Sequence, residues 1–462
     1  MEIFKCQAIL IIVLLLYVES VKSEIPLAPA LYVFGDSIFD SGNNNLLPTL
    51  AKADFKPYGS NFNGGRATGR FTNGKTVADF IAEFLGLPFS PPYVRLRRGS
   101  IKLTGLNYAS GSCGILPYTG NFLGKCLHFS EQVDLFQRTV KRELPRQFDD
   151  PEELSSYLSR SIFLISTGSN DYVNNYLQPN LYGTSKDYTP ESFAKLLINV
   201  LSQQFQANHL KSNCNYYSSM FGQRLYELGA RKVIVFEIGP IGCIPSFTKK
   251  LSHNERCAEK YNDLAVMFNN QLSDMLKNFT STLPGSTFIL GHAHWLGYDA
   301  IINPFTYGLM DPSSPCCVTW GNGTSACIPE LVPCRDADKH YFWDGYHLTE
   351  TVYRVIATKC FNDTSVCIPN NIKELVEGIH NPSLLALLES RMSNHTNLVG
   401  NLGFSKHISS GATDHSRGIV LIWTKDLLNN TDISISSQTI HVIVQVFQDL
   451  VKQCFENSPN LT

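Results

Sequence analysis

A hydroxyl that attacks an acyl carbon needs a base to take its proton, a group to orient that base, and donors for the developing oxyanion. Ser37 is the candidate nucleophile because of where the chain delivers it. Leu31-Tyr-Val-Phe34 reads as a short buried strand, and it runs straight into Gly35-Asp36-Ser37. Glycine permits a sharp turn there, and open α/β sheets bind ligands at the carboxyl ends of their strands. Taken alone, Ser37 could be a turn residue and Asp36 a helix cap. The base that changes this reading comes three hundred residues later, in Phe342-Trp-Asp344-Gly-Tyr-His347. A neutral imidazole passes protons both ways near neutral pH, so His347 is the candidate base. Asp344, three residues earlier, can share one turn with it and hold its tautomer. Phe342 and Trp343 form an apolar anchor for that turn.

Two further positions suit the oxyanion. Gly111 offers a backbone N–H that substrate can approach without a Cβ in the way. Asn170 offers amide donors that exchange no proton, and it follows the strand-like run Ser161–Ile165. The backbone N–H of Ser37 is the third donor.

The elements that must position these residues alternate. Strand-like runs recur at Leu31–Phe34, Ser161–Ile165, Lys232–Ile238 and Thr287–Leu290. Between them, Thr189-Pro-Glu opens a helix whose Phe193, Leu196, Leu197, Val200, Leu201 and Phe205 fall on one face. Tyr261, Leu264, Phe268, Leu272 and Met275 repeat the pattern, and a helix starting near Thr76 stops at Gly86. Such alternation predicts a parallel sheet covered on both faces.

The 462-residue chain has 43% hydrophobic residues and a net charge of −2, which gives no basic footprint for nucleic acid. Lys5 precedes an uncharged run from Ala8 to Val18, and Val21-Lys-Ser23 follows as a small-residue cleavage site. That run is too short to span a bilayer, so residues 1–23 are expected to be a signal peptide and the protein to be secreted, without stable membrane insertion. Removing Cys6 from the thirteen cysteines leaves an even number. Their spacing fits no zinc pattern and favours disulfides, whose connectivity the spacing leaves open. Sequons at Asn278, Asn322, Asn362, Asn394, Asn429 and Asn460 are expected glycosylation positions. No Gly-x-Ser-x-Gly elbow, phosphate loop or His-x-x-x-His pair occurs, so neither cofactor nor metal is expected.

Residues 31–45 closely resemble the first signature block of the plant GDSL esterases and lipases, members of the SGNH-hydrolase superfamily. Gly105–Gly111 resembles the second block, Ser166–Tyr172 the third, Gly229–Pro245 a further family stretch and Phe342–Glu350 the last. Together they cover roughly residues 28–375 in family order. The resemblance implies a flavodoxin-like, three-layer α/β/α domain with a parallel sheet, spanning residues 24–378. It also implies an ester hydrolase with Ser37, Asp344 and His347 as triad, Gly111 and Asn170 in the oxyanion hole, and a small-molecule or lipid ester as substrate. Two positions depart from the family: Ser112-Cys113 replaces the more usual Gly-Ala, adding a thiol beside the oxyanion loop, and Leu348 replaces the commoner Pro.

Residues 379–462 form an atypical extension. His380–Ser393, which contains Leu384-Leu-Ala-Leu-Leu-Glu389, Leu402-Gly-Phe404 and Ser416–Trp423 look like part of a retroelement endonuclease with Glu389 at a metal-binding position, but the remaining site motifs have no counterpart; the alternative reading is a divergent family tail. Half a nuclease assembles no two-carboxylate metal site, so the extension is expected to be non-catalytic and loosely attached, its apolar runs separated from partner strands. Two other functions compete with hydrolysis. An acyltransferase would use the same triad with an alcohol acceptor, and water and alcohol differ only as acceptors. A non-catalytic secreted binding protein would be expected to lack a triad or oxyanion group, and all are present.

Overall fold

The computed structural model describes residues 26–96, 103–205, 225–249 and 256–377, together with strands at Leu384–Ser390, Lys406–Ser409 and Gly418–Trp423. The expected signal peptide, Cys6, Cys214 and Cys454, and the sequons at Asn394, Asn429 and Asn460 lie outside the described residues. The chain divides into two compact units, Met1–Gly378 and Ile379–Thr462.

In the first unit, β1 (Leu31–Gly35), β2 (Ile162–Ser166), β3 (Lys232–Phe236) and β4 (Thr287–Gly291) pair in parallel in chain order. The strand-like runs of the sequence are these strands, with β1 and β4 one residue longer, β2 shifted by one and β3 two residues shorter than read. Beyond β1, the segment 104–110 runs alongside it: Val33 N–H donates to Leu106 O at 2.9 Å, Tyr108 N–H to Val33 O at 2.7 Å and Ser110 N–H to Gly35 O at 3.0 Å. The parallel order, with this segment at the edge, is that of a flavodoxin-like sheet. A pair β5 (Asp311–Pro315) and β6 (His340–Phe342) stands apart from it, and β7 (Cys367–Ile368) adds antiparallel to β4.

Strand residues are buried on both faces, as a parallel sheet requires. Tyr32, Phe163 and Phe288 project to one face. There Phe136 of α2 (Phe129–Arg138) lies 5.0 Å from Tyr32 and 5.5 Å from Phe163. Phe205 of α4 (Pro190–Phe205) and Phe279 of α5 (Glu259–Thr282) meet Phe288 at 5.8 and 5.4 Å. Burying each such ring contributes about 2 kcal/mol. The alternate residues Val33, Leu164 and Ile289 are equally buried. Two more helices, α1 (Val77–Phe84) and α7 (Glu350–Asn362), pack on each other through Phe84 and Phe361 at 5.2 Å; α3 (Pro151–Arg160) and α6 (Ala293–Ile302) complete the longer helices.

Local signals explain the helix starts. Thr76 and Asp79 form a capping box on α1, and Asp79 also takes Arg70 in a buried two-pronged pair at 2.6 and 2.7 Å. Thr189 Oγ accepts Ser192 N–H at 3.3 Å ahead of Pro190. On α4 the buried stripe includes Ala194 and Ile198, while Leu196 and Val200 are half-buried, a small rotation from the face read in the sequence.

The described cysteines pair as Cys113–Cys126, Cys243–Cys257, Cys316–Cys334, Cys317–Cys327 and Cys360–Cys367. Cys113 is therefore not the extra thiol expected beside the oxyanion loop but half of a disulfide. Asn278, Asn322 and Asn362 are exposed. No helix among the described residues is long and apolar enough to cross a membrane.

In the second unit the apolar runs are not without partners. The strand Gly418–Trp423 pairs antiparallel with Leu384–Ser390, which contains Glu389, and with Lys406–Ser409.

Gly35 is the tightest backbone position in the sheet. It sits at φ +135°, and a Cβ there would lie 1.9 Å from Ser166 O. Gly35→Ala is expected to destabilise the fold by about 3 kcal/mol or more, through left-handed strain plus overpacking. Exposed Gly64, with nothing within 4 Å of its Cβ position, is the control and should lose only the strain. Thermal unfolding of both variants checks this, with equal losses contradicting the steric account.

Candidate active site

The carboxyl ends of the parallel strands converge on one cavity of about 650 Å³. Ser37 follows β1, Asn170 follows β2 and Glu237 follows β3, and all three line it. Most of the remaining wall is apolar, including Ile38, Phe71, Val173, Phe236, Trp320 and Leu348.

The turn that presents Ser37 is tied down from several sides. Gln132 accepts Gly35 N–H and donates to Gly35 O, both at 2.8 Å, and Asp36 N–H donates to Ser166 O at 3.0 Å. Asp36 Oδ1 accepts Ile38 N–H at 3.1 Å, which makes it a turn-former rather than a helix cap.

The structure brings Ser37, His347 and Asp344 together. His347 Nε2 lies 2.8 Å from Ser37 Oγ, and its Nδ1 lies 2.8 Å from Asp344 Oδ2. A carboxylate accepts only, so Nδ1 carries the proton and Nε2 is left to accept the Ser37 hydroxyl. Asp344 is fully buried, with Oδ1 also accepting the N–H groups of Tyr346 and His347 at 2.8 Å each and Oδ2 the Tyr58 hydroxyl at 2.6 Å. Burial pushes its carboxyl up, but the His347 imidazole and these hydrogen bonds outweigh that and hold it below the usual carboxylate range. The anchor read in the sequence packs as expected: Phe342 and Trp343 are buried, and their carbonyls accept Cys316 and Cys317 N–H at 3.0 and 2.9 Å.

Asn170 shares the cavity with Ser37. Its Oδ1 accepts from Asn174 at 2.8 Å and its Nδ2 donates one hydrogen to Cys113 O at 2.9 Å, which leaves the second amide hydrogen available. Gly111 differs from its expected place. Its N–H is engaged by Asp40 Oδ2 at 3.1 Å, and the residue beside it, Ser112, lines the cavity instead. Ser112 sits at φ +69°, a conformation suited to glycine, and its buried hydroxyl has no hydrogen-bond partner. Leu348, the other departure from the family, is a cavity-wall residue.

Residue-type patterning did not flag Asp40 or Asp171, the two carboxylates that hold this loop. Asp40 Oδ1 accepts the N–H groups of Gly42 and Asn43 at 2.7 Å each, besides Gly111 on Oδ2. Asp171 accepts the N–H groups of Ile115 and Leu116 at 2.7 and 3.0 Å and the Thr119 hydroxyl at 2.7 Å. Both follow directly in the motifs that carry Ser37 and Asn170, and that adjacency was the available signal.

Residues 31–360 match the model of the family described as GDSL-like lipase/acylhydrolase. The chain is similar to GDSL esterase/lipase 7 of Arabidopsis thaliana, 42% identical over 360 residues that cover 76% of this chain and 93% of the relative. It is also similar to GDSL esterase/lipase At1g33811 of the same plant, 40% identical over 75% of this chain and 90% of the relative. GDSL esterase/lipase At5g08460, also from Arabidopsis thaliana, is 38% identical over 75% and 87%.

Burial raises the carboxyls of Asp36 to about 7 and of Asp40 and Asp171 to about 6, against the pull of the backbone N–H groups they accept. Their folded pKa values stand above the ordinary 3.8. The stabilisation from holding these protons is therefore complete below about pH 4 and is lost as pH rises through about 6 to 7. Asp36 Oδ2 is buried without a partner, so Asp36 is the clearest case. Asp36→Asn is expected to flatten the fall in Tm between about pH 4 and about pH 8 relative to the parent. Parallel Tm–pH curves for the two proteins would contradict the assignment.

Proposed function

The chain belongs to the GDSL-like lipase/acylhydrolase family and is an ester hydrolase, and from that premise we propose that it works through an acyl-enzyme on Ser37. In this reading His347 Nε2 takes the Ser37 proton as Oγ bonds to the acyl carbon. The carbonyl oxygen becomes an oxyanion, and the leaving alkoxide departs with the proton from His347. A water, deprotonated by His347, then attacks the acyl carbon, and the Ser37 ester bond breaks as His347 returns the proton to Ser37 Oγ, releasing a carboxylic acid. Asp344 keeps the imidazole in the tautomer that accepts from Ser37 and balances its charge when protonated.

The observation that carries the reading is the unbroken pair of hydrogen bonds, Asp344 to His347 and His347 to Ser37, across 310 residues of chain. Oxyanion donors are proposed as the second Asn170 amide hydrogen, the Ser37 N–H and the N–H of the Ser112 turn; Ser112 takes the place expected of Gly111, whose N–H Asp40 already holds. The apolar wall favours an ester with an apolar acyl part. We also infer that residues 1–23 are removed as a signal peptide and the mature protein is secreted. Five disulfides among the described residues and exposed sequons at Asn278, Asn322 and Asn362 support an oxidising, extracellular setting. Residues 24–378 are proposed as the catalytic domain, with 379–462 adding no activity.

Ester turnover by secreted variants tests the roles. Ser37→Ala and His347→Ala should each lower kcat about a millionfold, and Asn170→Ala about a hundredfold with KM little changed. Parent-level turnover by Ser37→Ala or His347→Ala would overturn the assignment.

A further inference from the structure

We propose that Tyr58 is a positioning residue for ester hydrolysis, locking the Asp344 carboxylate through its phenolic O–H, and that the Cys317–Cys327 loop holds Tyr58 in turn. The proposal rests on the roles given above to Asp344 and His347.

The two carboxylate oxygens of Asp344 are held by different parts of the chain. Oδ1 is gripped locally by the N–H groups of Tyr346 and His347. Oδ2 accepts from Tyr58, 286 residues away, at 2.6 Å. A carboxylate tethered only through its own turn can rock about its Cβ–Cγ bond, and the imidazole it orients rocks with it. The distant donor removes that freedom. Tyr58 is fully buried, and burial followed by the neighbouring Asp344 charge raises its hydroxyl well above the ordinary value, so it remains a protonated donor.

The hydroxyl is itself held. Cys327 N–H donates to Tyr58 Oη at 3.2 Å. Cys327 is bonded to Cys317, whose N–H donates to the carbonyl of Trp343, the residue before Asp344. The covalent and hydrogen-bonded path thus closes on itself around the carboxylate. Between the two cysteines, Ser325 O accepts Gly345 N–H at 2.9 Å, and a Cβ on Gly345 would lie 2.6 Å from Ser325 N. The loop therefore lies flat on the residue after Asp344. The aromatic packing has the same sense: Tyr58 meets Phe71 at 6.2 Å, and Phe71 lies 5.0 Å from the His347 ring. One cluster steadies both the carboxylate and the imidazole.

The test is Tyr58→Phe in the full chain, which keeps the ring and removes the donor. Active sites are counted with a fluorophosphonate probe, so that kcat is expressed per competent site. Expected is a fall in kcat of about tenfold, the order of one hydrogen bond to a charged group, with KM within about twofold and the number of titrated sites unchanged. A loss of titrated sites with an unchanged kcat per site would mean that Tyr58 serves the fold alone, and would overturn the proposal. An unchanged kcat and an unchanged site count would overturn it too. Ser37→Ala run alongside separates the two readings. If Ser37→Ala is inactive while Tyr58→Phe equals the parent, only the positioning role fails; if Ser37→Ala is active, the acyl-enzyme reading fails.

Discussion

A carboxylate with no exposed surface and, among the described residues, no Arg or Lys paired with it is the constraint around which this site is arranged. Asp344 keeps its charge because donors from separate chain regions converge on it: its own turn, the His347 ring and the Tyr58 hydroxyl. An unpaired buried charge is far too unfavourable to persist, so each donor must be delivered and kept. That requirement ties together features that otherwise look unrelated: the buried Trp343, the paired disulfides around residues 316–334, and the aromatic group of Tyr58 and Phe71.

The parallel sheet does the complementary work for Ser37 and Asn170. Each stands just past the end of a strand whose side chains are buried on both faces, so the backbone leading to it has little freedom. Buried carboxylates recur here as fasteners. Asp40 binds the Ser37 turn to the 111–112 loop, and Asp171 binds the Asn170 turn to residues 115–119. The site is thereby a set of loops joined to one another by buried acceptors as well as to the strands beneath them.

Much of this was legible in the residues themselves. The strands β1–β4 announce themselves as apolar runs, with β1, β2 and β4 ending in Gly or Ser, and α4 announces itself by Thr189-Pro190 and its apolar stripe. The meeting of Ser37 with Asp344 and His347 was readable because the motifs carry the resemblance. The segment 104–110 was not readable as an edge of the sheet, since Gly105 and Asn107 break any strand pattern and only its backbone pairing makes it one. Disulfide pairing and the Tyr58–Asp344 bond depend on three-dimensional proximity and leave no local periodicity. Gly111 was chosen for its missing Cβ, yet the hydrogen bond to Asp40 decides where its N–H goes, and Ser112 occupies the left-handed position instead. The strands of the second unit pair with one another, where apolar composition alone suggested orphaned edges.

In the proposed mechanism Ser37, activated by His347, carries the acyl group during turnover. The most direct measurement is mass spectrometry of peptides from protein acid-quenched while hydrolysing a p-nitrophenyl ester. One acyl adduct is expected, on Ser37, and none at the same time point in His347→Ala. Full-rate hydrolysis with the acyl group on any other residue would contradict it.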